Sequence, residues 1–114
     1  MTERWIVASS GGFVPTDRWG VMRPGRIFER ALDLSGAADP RVLFVHTASG
    51  DDHKYLSASY SALASTRCRV DHLALFPQPN RPVKEAVEQA DVIWVGGGSV
   101  ANLLALWRLH GVDS

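Results

Sequence analysis

Apolar positions along this 114-residue chain fall into short continuous runs that alternate with stretches of helical spacing. Trp5 to Ala8 is the first run, and Ser9-Ser10-Gly11-Gly12 closes it, which suits a buried strand feeding a turn. Arg41 to His46 (RVLFVH), Arg69 to Phe76 and Asp91 to Val95 repeat the pattern and predict three more strands. Between them the spacing changes. Ile27, Phe28, Ala31 and Leu32 share one helical face within Arg26 to Ser35, and Gly36 suits the left-handed position after the last turn. Leu56, Tyr60 and Leu63 keep i, i+4, i+7 spacing behind Asp51 and Asp52, both of them residues that cap helices well. Asn80 and Pro82 open a third helical stretch, with Val83, Ala86, Val87 and Ala90 on its stripe. Ser99 opens a fourth, with Val100, Leu103, Leu104 and Trp107 facing one way and Gly111 ending it. Four strand–helix units in a row predict an α/β domain, with a parallel sheet and helices on both faces. Gly11 to Gly25 is expected to be a long loop, at the strand ends where ligands bind in such sheets.

The densest segment is Asp91-Val-Ile-Trp-Val-Gly-Gly-Gly-Ser99, where strand, glycine turn and helix start meet with no spare residue. Glycines there let a ligand approach main-chain N–H groups closely, at the positive end of the following helix. The same segment fits Gly-x-Gly-x-x-Ala through Gly96, Gly98 and Ala101, a dinucleotide fingerprint. It follows the fourth predicted strand rather than the first, however, and no acidic partner about 20 residues on can be read. A non-hydrolytic nucleotide- or small-molecule-binding domain using the Gly96–Gly98 turn is the alternative this leaves.

Composition narrows the classes. Lys and Arg total 12 against 12 Asp and Glu, so no basic footprint for nucleic acid or an anionic membrane surface is expected. No apolar run approaches the length of a membrane-spanning helix, and the first eight residues are too short for a secretory signal. One cysteine, Cys68, cannot form an internal disulfide, which points to a reducing cytoplasm. His46, His53, His72 and His110 show no metal-ligand spacing; no metal or organic cofactor is expected, and all four are assigned to structural or surface roles. Cys68, between Arg67 and Arg69, lacks the glycines of a nucleophile turn and precedes a strand.

Four segments together resemble the peptidase E (alpha-aspartyl dipeptidase) and cyanophycinase family of serine peptidases. They are Gly11-Gly12-Phe13, Val42 to Asp51, Cys68 to Phe76, and Ala90 to Ser99 with its helix down to Asp113. The resemblance implies a three-layer α/β/α fold, flavodoxin-like and akin to class I glutamine amidotransferases. It also implies a serine nucleophile in a Gly-x-Ser-Ala-Gly elbow, with a catalytic histidine further on. No Gly-x-Ser-x-Gly occurs in these residues. Residues 1–114 are therefore expected to be the N-terminal part of a single peptidase E-like domain, truncated before the elbow and inactive alone. Two departures stand out: the family usually has Asn where Ser99 stands, and more often Pro in place of His46.

By this resemblance Gly97 and Gly98 supply backbone N–H groups to an oxyanion hole, where one donor is typically worth about 3–4 kcal/mol of barrier. The plain alternative is a tight turn that needs glycine for shape only. Thr47 and Asp51 are candidate substrate contacts, although a turn or helix-cap role is the favoured one for Asp51. The expected partner is a short peptide, with an aspartyl residue at the specificity position; a homodimer is left open.

Overall fold

A computed structural model describes residues 4–114. Two strands, β1 (Phe13–Pro15) and β2 (Met22–Pro24), precede helix α1 (Arg26–Ser35). Strand β3 (Arg41–Val45), a 3-10 turn (Thr47–Ser49) and helix α2 (His53–Leu63) follow. Then come β4 (Arg69–His72), α3 (Val83–Gln89), β5 (Val92–Val95) and α4 (Val100–His110).

The main sheet has the order β4-β3-β5, and both pairings are parallel. Central β3 is buried from Val42 to Val45 because both of its faces are covered. On one face Val42 and Phe44 pack against Phe28 and Leu32 of α1 and Leu63 of α2. On the other, Leu43 and Val45 meet Leu73, Leu75 and Ala86 of α3, with Leu106 and Trp107 of α4 alongside. Helices thus flank a parallel sheet on both sides, and the fold is the three-layer α/β/α expected.

Three expectations need correction. Trp5 to Ala8 forms no strand; Ile6 is 98% exposed and no strand among the described residues pairs with the run. Apolar, β-prone residues make a strand only where a sheet edge accepts them. The predicted loop from Gly11 to Gly25 instead contains an antiparallel hairpin, in which Phe13 pairs with Pro24 and Pro15 with Met22. Its turn is held by Thr16, whose N–H and hydroxyl both donate to the Val21 carbonyl. The hairpin puts Phe13 into an aromatic cluster, 4.9 Å from Phe28 and 5.8 Å edge-on to Trp94. The third strand stops at His72 rather than Phe76. Leu73 and Leu75 remain buried, but the N–H groups of Leu75 and Phe76 donate to the Asp51 carboxylate instead of to a strand.

Helix α4 also departs from its predicted stripe. Val100 is 67% exposed, and the side chains that reach the core are Leu106 and Trp107. Among the described residues strand β5 has β3 on one side only, and Ile93 and Val95 are each more than two-fifths exposed.

Candidate functional site

The carboxyl ends of β3 and β5 open onto a cavity of about 730 Å³, roofed by the β1–β2 hairpin and walled by α2. Sheets of this kind bind ligands at this end of their strands. A smaller hollow of about 210 Å³ lies at the opposite end, near Arg41 and Arg69, away from every glycine turn.

The glycine turn is fixed at both ends. Gly96 N–H donates to Val45 O at 3.0 Å, which prolongs the β3–β5 ladder, and Ser99 N–H donates to Ala48 O at 2.7 Å. Ser99 then caps α4, its hydroxyl accepting from Asn102 N–H. Between these anchors, neither Gly97 nor Gly98 N–H has an acceptor among the described residues. Gly97 lines the cavity and has nothing near the place a Cβ would occupy. Gly98 has φ 143°, and a Cβ on it would collide with the Ala48 carbonyl. A Cβ on Gly96 would strike the His46 ring. Two of the three glycines are therefore required by the protein's own packing. Gly97 alone is left facing open space, with a free N–H at the positive end of α4.

His46 follows β3 directly and is 7% exposed. Its ring stacks on Phe44, centroids 5.6 Å apart, and its Nε2 lies 3.0 Å from the Ser59 hydroxyl of α2. Burial holds its pKa below the usual 6.5, partly opposed by the Asp51 carboxylate and reinforced by His72. Its burial and contacts fit the structural role assigned to it, and the ring also forms part of the cavity wall. The sequence signal was its place at a strand's carboxyl end; spacing to other histidines carried nothing. His72 sits outside the cavity, with Nδ1 bound to the Tyr60 hydroxyl at 2.8 Å and a pKa lowered chiefly by burial. His53 starts α2, and His110 ends α4. Among the described residues no three His, Cys, Asp or Glu side chains converge as metal ligands.

Thr47 and Asp51 do not line the cavity. Thr47 is fully buried, and its hydroxyl accepts from Trp107 Nε1 at 3.1 Å, tying α4 to the 3-10 turn. Asp51 adopts φ 55° and spends its carboxylate on the amides of Leu75 and Phe76 at 2.9 and 3.0 Å. Asp52, not Asp51, caps α2 by accepting from Lys54 N–H. Cys68 packs against the α1–α2 core cluster, away from the cavity.

A Ser–His contact inside a cavity invites a nucleophile reading for Ser59. The hydroxyl argues against it. Ser59 Oγ lies 2.8 Å from Tyr55 O, one helical turn back, and 3.0 Å from His46 Nε2, so its one proton is contested by the helix backbone and the ring. It also sits within helix α2, without the glycine-relieved strand-to-helix turn that exposes a serine nucleophile.

The family model described as Peptidase family S51 matches residues 7–114. An uncharacterized peptidase, YgaJ, of Bacillus subtilis (strain 168) is 42% identical over 82 residues. That segment is 72% of this chain and 36% of the relative, so the matched part covers little more than a third of it. No solved structure matches the chain significantly.

Proposed function

Because the chain belongs to peptidase family S51, we propose that it forms the oxyanion-binding half of a serine-type peptidase acting on short peptides. The observation that carries this reading is the free N–H of Gly97, set at the start of α4 on the wall of the cavity. A donor fixed there before reaction stabilises the negative oxygen of a tetrahedral intermediate without reorganisation. The adjoining Gly98 N–H is the second donor. The nucleophile and its base come from outside these residues, since Ser59 is back-bonded to its helix and Ser99 is spent as a cap. Peptides with an aspartyl residue are the proposed substrates, and Lys54 on the cavity wall is the group suited to an acidic side chain. The compartment we assign is the cytoplasm.

The nucleotide-binding alternative is the weaker one, because the first and third glycines of the triplet are accounted for by His46 and Ala48 without a ligand. A serine-directed phosphonate is expected to leave the 114-residue chain unlabelled. A chimera continuing after Gly111 with the remainder of the Bacillus subtilis relative should be labelled and should cleave aspartyl dipeptides. An adduct on the chain alone, lost in Ser59→Ala, would move the nucleophile to Ser59. A folded chimera that resists labelling would remove the serine mechanism.

A further inference from the structure

We infer that the hollow at the amino ends of β3 and β4 is an anion site, in which Arg41 and Arg69 clamp the dianionic phosphate of a small phosphate ester. It lies at the opposite end of the sheet from the glycine-turn cavity and stands independently of the peptidase reading.

Sheet register brings the two arginines together. Arg41 opens β3 and Arg69 opens β4, and they are direct partners across the parallel ladder. Partners in register project to the same face, so the two side chains stand next to each other on the face where Leu43 meets Ala86. Like charges set directly opposite destabilise a sheet. The protein does nothing to relieve them. Among the described residues Arg41 and Arg69 form no ion pair, and neither guanidinium has a hydrogen-bond acceptor. The neighbouring carboxylates are already used. Asp71 accepts from Arg81 with one oxygen and from the His72 amide with the other. Asp91 accepts from the Arg41 amide at 2.8 Å.

The hollow is shaped by side chains that the fold holds in place. The Arg81 side chain is only 22% exposed, and it is held by Asp71 and by Gln89 Oε1 at 2.8 Å. It adds a third positive charge to the wall, against the single carboxylate of Asp71. Ala86 on α3 and Ala90 just after it supply an apolar side. About 210 Å³ is room for an oxyanion with a small organic group, below the size of sites that take drug-sized ligands. The ligand class follows from counting forks. Each guanidinium offers parallel N–H groups, and the two oxygens of a carboxylate satisfy one such fork. A phosphate monoester has three terminal oxygens and close to two negative charges, enough for both forks and both unpaired arginines. Both arginines are exposed, so screening keeps the affinity modest and salt-sensitive.

The test is titration of the purified chain with phenyl phosphate at low ionic strength and about pH 7.5, where the ester is a dianion. Arginine Nε–H signals are followed by NMR and affinity by calorimetry. Half-saturation is expected below about 1 mM, with the Arg41 and Arg69 signals moving together and the Gly97 amide still. Phenyl methyl phosphate, a monoanion with one oxygen blocked, should bind at least about tenfold more weakly. Arg41→Gln and Arg69→Gln should each lower the affinity about ten- to a hundredfold, the worth of a charge-assisted pair. Arg41→Lys keeps the charge without the fork and should fall between. Without ligand, Arg41→Gln should raise the thermal midpoint at low salt, because a like-charged neighbour is gone; an arginine with a merely structural role would lower it. Arginine signals unmoved up to about 10 mM phenyl phosphate, or full affinity in both glutamine variants, would overturn the assignment. So would a response matched by sodium chloride at equal ionic strength, a lowered midpoint in unliganded Arg41→Gln, or shifts confined to Gly97 and Lys54, which would put the anion in the other cavity.

Discussion

Gly98 carries two independent demands, a φ of 143° and a missing Cβ against the Ala48 carbonyl, whereas Gly97 carries neither. Gly98→Ala is therefore expected to lower unfolding stability by about 1–3 kcal/mol, from backbone strain before any clash is relieved. Gly97→Ala should stay within about 0.5 kcal/mol, as substitutions in open space do. Urea titrations of the two variants check this, and equal losses would contradict it. The histidines give a second prediction. His46 and His72 both have pKa values below 6.5 in the fold, mainly through burial. The unfolded chain binds their protons near 6.5, so it gains protons before the fold does as pH drops. Stability should be complete above pH 6.5 and decline as pH falls from there toward the folded values. Urea midpoints at about pH 7.5 and pH 5 measure the slope, which His72→Gln should flatten in part. A midpoint that does not move with pH would show that burial does not penalise the charged rings.

At the scale of elements, Asp51 decides where β4 ends. Two amides converge on one of its oxygens, so Asp51→Ala leaves buried donors unpaired and should cost about 2–4 kcal/mol. Asp51→Asn keeps an oxygen in reach of both amides and tolerates the left-handed backbone, so about 1 kcal/mol is expected. Thermal melts order the two; an asparagine variant as damaged as the alanine one would show that charge, not geometry, holds the loop. The same residue shows what the sequence withheld. Apolar runs and helical spacing made β3, β5 and all four helices legible as elements, although only β3 buries all that its pattern says; β5 leaves Ile93 and Val95 exposed, and α4 leaves Val100 exposed. The pattern could not show that Leu75 is buried without belonging to a strand, since its amide is taken by a residue 24 positions away. Nor could it reveal the hairpin. Three-residue strands bounded by prolines carry no alternation to read, and Phe13 matters only once Phe28 and Trp94 are brought beside it. His46 was hidden for a similar reason. Its ring meets a serine 13 residues on, across a helix that the sequence alone does not orient.

At the scale of the molecule, the layers and the glycine turn together make a cavity whose polar groups come from different elements. β3 brings His46, β5 brings Gly97, α2 brings Ser59 and Lys54, and the hairpin closes the top. No one of these is informative alone, which is why family S51 membership and the wall of the cavity carry the functional reading jointly. The flank of β5 has a separate consequence. Val92–Val95 holds no charge and no proline, leaves one row of backbone N–H and C=O groups without a strand partner among the described residues, and exposes Ile93 and Val95. Such a rim is a template on which any extended chain can seed growth, its own copies included. In concentrated solution the isolated chain should form thioflavin-positive fibrils after a lag that shortens with concentration. Ile93→Lys, a charge set into that rim, should lengthen the lag severalfold without unfolding the domain. Unchanged kinetics would place the nucleus elsewhere, with the exposed Trp5–Val7 run the next segment to mutate.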